Sequence, residues 1–99
     1  MPERTLEVTE LRISRDTAKK ILEVHKIHED EVRAAIEGVG RLPFVWDEDD
    51  ERGSRAYLVT AIRDEPVMVV LYPSEGGLGA VWNLGSAYFL EEWEDETSG

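Results

Sequence analysis

The chain has 99 residues, with 11 Lys+Arg against 22 Asp+Glu for a formal net charge of −11, 41% hydrophobic residues and no cysteine. That length holds one modest core without a second domain or a deep substrate cavity, and the missing cysteines exclude a disulfide scaffold, a Cys-ligated zinc site, an iron–sulfur cluster and a thiol nucleophile. No stretch approaches the roughly 18 apolar residues of a membrane span, the start MPERTLEVTELR lacks the apolar segment of a secretory signal, and a cytoplasmic location is expected.

Leu6, Val8, Leu11 and Ile13 alternate with polar residues as in a half-buried strand, with a slip of phase at Thr9-Glu10. Ser14-Arg15-Asp16 supplies helix-capping chemistry. Ala18, Ile21, Leu22 and His25 then fall on one face of a first helix. Val32, Ala35, Ile36 and Val39 repeat that spacing in a second, with Glu29, Asp30 and Glu31 in its first turn and Gly38 and Gly40 at its end. Two such short helices need a sheet to bury their apolar faces. Residues 43–46, 56–62, 66–72 and 80–84 read as four strands, and their short connections favour antiparallel neighbours. The third of these is apolar at nearly every position, which predicts a central place covered on both faces. Ser86 is placed to cap a last short helix with Phe89, Leu90 and Trp93 on its apolar edge, a continued strand being the alternative. The expected fold is therefore α+β, a single domain over residues 1–99 with two short N-terminal helices packed on a four-stranded, mainly antiparallel sheet, with or without a short C-terminal helix.

The charge is unevenly spread. The acidic loop 47–51 (Asp47, Glu48, Asp49, Asp50, Glu51) and the acidic tail 91–99 carry most of the excess, and residues 1–45 are nearly balanced with 8 basic against 9 acidic side chains. Each run is a solvated segment, a contact for a basic partner or, without the ligand spacing and central glycine of an EF-hand loop to support it, a calcium site, and Trp93 in the tail would be an interface anchor. His25 and His28 flank Ile27 at the helix junction. Sequence marks no third ligand beside them, so no metal or cofactor is expected. His25 lies on the inward edge of its helix, and His28 stands where Ser, Thr or Asp would usually cap the next. Arg52, Arg55 and Arg63 frame the second of the four strands, where they either bind phosphate or neutralise the neighbouring acids. No phosphate loop, nucleophile elbow or catalytic triad pattern is present.

The order of parts resembles the BrnT-like toxins, compact relatives of the RelE class of bacterial type II toxin–antitoxin systems. The resemblance rests on the strand ending in Leu11-Arg12-Ile13-Ser14, the helix-junction run from Leu22 to Val32, Arg55-Ala56-Tyr57 ahead of two apolar strands, and a closing strand around Trp82, and it covers roughly residues 11–88. It implies a small α+β fold, RNA cleavage without a metal and a tight complex with an antitoxin. Such cleavage needs a base for the ribose 2′-hydroxyl, a donor for the leaving oxygen and cations on the phosphate. Position by position, His25 matches the family's junction histidine and Arg55 its strand-leading arginine, with Tyr57 a looser catalytic candidate beside them. The chain departs from the family in carrying Asn83 and Tyr88 where the family presents arginine, and Lys26 at its junction glycine. The expected function is a toxin-fold component that binds a protein partner, with metal-independent RNA cleavage at His25, Arg55 and Tyr57 and phosphate contacts from Arg52 and Arg63. The alternative is a non-enzymatic acidic interaction protein, an antidote, nucleic-acid mimic or assembly subunit, that meets a basic surface. A homodimer through a sheet edge is compatible with either.

Overall fold

The computed structural model of the chain describes residues 4–48, 51, 53–74 and 81–91. In chain order the elements are β1 (Thr5–Glu7), β2 (Glu10–Arg12), α1 (Arg15–His25), α2 (Glu29–Ile36), β3 (Arg41–Pro43), β4 (Val45–Asp47), β5 (Arg55–Ile62), β6 (Glu65–Pro73) and β7 (Val81–Phe89). Five strands form a mixed sheet in the order β2-β7-β6-β5-β4, and β1 and β3 pair antiparallel as a separate ribbon. This corrects the expected four-stranded sheet in three places. The phase slip at Thr9-Glu10 is where the chain leaves the ribbon and enters the large sheet, so one expected strand is two. The stretch 41–47 is likewise divided at Phe44, whose N–H donates to the Arg4 carbonyl at 3.1 Å while β3 and β4 serve different sheets. Finally, β2 joins the large sheet parallel to β7, a pairing across about 70 residues of sequence that no local signal announces.

The closing strand is also longer than expected. It runs through Ser86 and Phe89, so the alternative of a continued strand holds and no helix begins at Ser86. A shift of register between Val70 and Leu71 lets β7 keep Trp82, Leu84 and Ala87 on the buried side.

Each helix boundary has a chemical cause. Ser14 caps α1 by accepting from the Thr17 N–H at 3.2 Å. Lys26 ends that helix in the left-handed region (φ 59°), and Lys26 and Ile27 donate to the Leu22 and Ile21 carbonyls. His28 then caps α2, its Nδ1 accepting from the Asp30 N–H at 3.2 Å while the Glu31 carboxylate accepts from the His28 N–H at 3.1 Å. Because α2 stops at Ile36, Val39 is exposed outside it rather than on its inner face. Glu37 is needed elsewhere: its carboxylate accepts from the Leu11 N–H at 2.8 Å, and the Gly38 N–H donates to the Val8 carbonyl at 2.8 Å.

One core joins these parts. Ile21 of α1, Ile27 of the junction, and Val32 and Ile36 of α2 are fully buried against Leu58, Val67, Val69, Leu71 and Leu84 of the sheet. Each such side chain stabilises the fold by about 1.5–3 kcal/mol relative to exposure. Leu22, expected inside, is half exposed, since the inner face of α1 narrows to Ile21. Among the described residues no helix is long and apolar enough to cross a membrane.

Candidate functional site

Alternation sorts the strands into two faces. Ala56, Leu58 and Ile62, Val67, Val69 and Leu71, and Trp82, Leu84 and Ala87 turn to the helices. Tyr57, Val59, Met68, Tyr72 and Tyr88 turn the other way, joined by Val45 through its register with Tyr57. β6 is central, as expected, but among the described residues only one of its faces is covered by helices. On the bare face Val70 is buried while Met68 and Tyr72 stay half-buried.

A polar row crosses all five strands on that bare face. Register places Arg12 opposite Asn83 and Asn83 opposite Tyr72, and it places Asp47 opposite Arg55. Arg55 closes the row. Its Nε donates to Asp47 Oδ2 at 3.2 Å, its guanidinium lies 5.4 Å from the centre of the Tyr57 ring, and it shares a hydrogen bond with Tyr72. These contacts, Tyr72 first, hold the Arg55 guanidinium charged even more firmly than usual. Tyr72 is itself fixed by a close approach: a Cβ built on Gly85 would stand 2.3 Å from Tyr72 Cε2, so the ring lies directly on the glycine. At the opposite end of the row, Arg12 donates to Glu10 at 2.9 Å and to Ser74 Oγ at 3.3 Å, beside a hollow of about 320 Å³ that Ser14 and Asn83 also line.

The catalytic candidates are divided between two places. Arg55 and Tyr57 are neighbours, whereas His25 at the end of α1 meets Tyr88, ring centres 5.8 Å apart, at the far margin of the same face. Tyr57 is close enough to Tyr72 and Tyr88 to sense them electrostatically. Partial burial raises the Tyr57 phenol above its ordinary value, with Arg55 pulling the other way. The phenol therefore stays protonated at neutral pH and is a hydrogen-bond donor rather than a base.

Arg63 does not join Arg55. The two lie at opposite ends of β5, roughly 25 Å apart along the strand. Arg63 is bound to Glu31 at 2.7 and 2.9 Å and to the Lys26 carbonyl at 2.6 Å, and its guanidinium lies 5.6 Å from the centre of the Phe89 ring. It thereby ties the β5–β6 turn to the helix junction. Its partner Glu31 is pulled down to about 2, first by Arg63 and then by the His28 N–H. Of the expected partner contacts, Asp47 is engaged with Arg55, Glu48 accepts from Trp46 Nε1 at 3.4 Å, and Glu51 is exposed. Arg52, Asp49, Asp50 and Trp93 lie outside the described residues.

No protein family, curated protein or solved structure matches the chain. Its site is defined by its own geometry. Sequence reasoning passed over Arg12, Tyr72 and Glu31, and met Tyr88 only as a missing arginine. The available signal for Tyr72 was register: it shares parity with Met68 along one strand, as Tyr57 does with Val59 along the next. Nothing local marks Arg12, because its place in the row depends on the parallel β2–β7 pairing. Among the described residues no cluster of three or more His, Asp or Glu side chains is arranged to hold a metal ion.

Proposed function

We propose that the chain is a toxin-fold component of a type II toxin–antitoxin-like module, of the BrnT-like and RelE class, and that it acts by binding a protein partner on the bare side of its sheet. The supporting observation is that exposed side itself. Val45 is 68% exposed and Val59 49%, and Tyr57, Met68, Tyr72 and Tyr88 are half-buried beside them; among the described residues α1 reaches only the margin of this face, through His25 against Tyr88. Contiguous apolar and aromatic surface of this kind is uncommon on monomeric proteins and is the composition of a protein interface. The excess of acid selects a partner with a basic surface. The reading expects a small reading frame beside the gene, and the test is co-expression with the product of that adjoining frame, whose absence would itself count against the module. The two chains should purify together, and the complex should weaken when Tyr57 and Tyr88 are replaced by Asp. Failure to associate, or equal affinity of the double variant, would remove the proposal.

A second reading is supported by the polar row. Arg12 and Arg55 stand on the same face as Tyr57 and Tyr72, with His25 against Tyr88 at its margin, which are residue types that metal-free RNA cleavage uses. Against it, Arg55 is paired with Asp47 and Arg12 with Glu10, so a phosphate would have to displace a carboxylate at each. Expression of the chain alone in a bacterial host separates the readings. Growth arrest with cleaved RNA, abolished by His25→Ala, would establish cleavage, whereas normal growth with intact RNA would exclude it.

A further inference from the structure

The large sheet has two incomplete edges, and the chain treats them differently. At β2 the outward backbone is sealed by side chains. The Leu11 N–H donates to Glu37 Oε2 at 2.8 Å, and the Leu11 carbonyl accepts from Arg33 Nη1 at 2.6 Å, with Arg33 and Glu37 themselves bonded at 3.2 Å. One turn of α2 thus stands in for a neighbouring strand. At the other edge β4 pairs with β5 only as far as Tyr57, and residues 58–62 pair with β6 alone among the described elements. Those five residues, Leu58, Val59, Thr60, Ala61 and Ile62, carry no charge, proline or bulge, the devices that ordinarily protect an edge. Beyond Val45 the β3–β4 segment diverges from β5 and opens a cleft of about 390 Å³. Pro43, Phe44 and Val45 form one wall, and Tyr57, Val59 and Met68 form the other.

We propose that residues 58–62 of β5 are a docking edge for an extended segment of a partner protein, which adds a strand to the sheet and places alternate apolar side chains in this cleft. Unpaired strand backbone recognises strand backbone, and a period-two apolar cleft recognises every second side chain. Charge chooses among the strands that could fit. The edge is bounded at one end by exposed Asp64 and Glu65 and at the other by exposed Glu48, with Asp47 there paired with Arg55, while the nearby Arg63 is held by Glu31. The occupant is therefore apolar at alternate positions and basic at its ends, and a second copy of this acidic chain is disfavoured. The inference rests on the partner-binding reading above and assigns it a place and a chemistry.

The test uses the full chain, isotopically labelled, with a synthetic peptide Lys-Val-Thr-Val-Thr-Val-Lys as probe. Binding should shift the amide resonances of residues 58–62 and slow their hydrogen exchange. N-methylation of alternate peptide amides, on the edge that would bond to β5, should weaken binding by about tenfold or more, since the apolar contacts remain and the ladder is lost. Exchanging the terminal lysines for glutamates should weaken it comparably at low salt and much less at high salt. Val59→Lys, a change at an exposed position that leaves the core intact, should also abolish binding. Absence of binding, equal affinity of the N-methylated peptide, or shifts confined to Tyr57 and Tyr88 would overturn the proposal. So would a free chain that sediments as a dimer with residues 58–62 already protected, because the edge would then belong to a second copy. Co-purification with the adjoining gene product while this edge stays unprotected would reject the docking edge and leave the partner reading standing.

Discussion

Single residues decide where this fold is tight and where it is strained. Lys26 adopts φ 59° at the end of α1, a conformation that glycine takes without steric cost. The Lys26 Nζ bond to the Glu23 carbonyl and the Arg63 bond to the Lys26 carbonyl hold it there. Lys26→Gly should raise stability by about 0.5–1 kcal/mol, read as a higher urea midpoint at unchanged slope. Gly85 is the opposite case. Gly85→Ala drives a methyl into the Tyr72 ring, with the Val70 carbonyl also 3.3 Å from it, so Tyr72 must swing out and release Arg55. A loss of about 1–3 kcal/mol is expected, together with changed ring resonances for Tyr72; unchanged resonances would refute the contact. Glu31 sets a pH dependence. Its folded-state value of about 2 lies below the ordinary 4.5, so its contribution is complete above pH 4.5 and is lost as pH falls toward 2. The stability difference between the wild type and Glu31→Gln should therefore shrink over that interval, and a constant difference would contradict the Arg63–Glu31 assignment.

At the scale of elements, what was legible in the sequence is what local chemistry determines. The helices are legible from their 3.6-residue spacing, and the sequence marks the position of His28 as that of a cap, whereas the cap that its own Nδ1 makes is visible only in the structure. The strands at 56–62 and 66–72 were found from uninterrupted β-branched and apolar runs. The phase slip at Thr9-Glu10 is visible as an irregularity, but its meaning, a passage between two sheets, depends on partners that lie about 35 and 70 residues away in β3 and β7. The division at Phe44 was hidden for the same reason. The site was legible only in part: Arg55 and Tyr57 are neighbours by local alternation, whereas the place of Arg12 in the polar row and the separation of Arg63 follow from topology and strand length. The clamp on β2 is likewise a tertiary device with a measurable cost. Glu37→Ala leaves the Leu11 N–H without its partner and should destabilise the chain by about 1–3 kcal/mol, with faster hydrogen exchange at Leu11 than at any residue of β6.

For the whole molecule, the formal charge of −11 is spread unevenly along the chain, with the run 47–51 and the tail 91–99 carrying most of the excess. Among the described acids, Asp47 ends β4 and Glu48 follows it, while Asp64 lies in the β5–β6 turn and Glu65 opens β6. The helix side is compact and sealed, and one sheet edge is plugged by Arg33 and Glu37. The other edge and the adjoining face expose β-branched and aromatic side chains. This asymmetry is the physical basis for assigning the molecule a protein partner and locating it on the sheet side. The measurement that bears on that claim most directly is amide hydrogen exchange of the full chain, free and in complex with the adjoining gene product. Slowed exchange in β4 and β5, with α1 and α2 unchanged, is the predicted result. Protection confined to the outer faces of α1 and α2, with β4 and β5 exchanging as in the free chain, would contradict it.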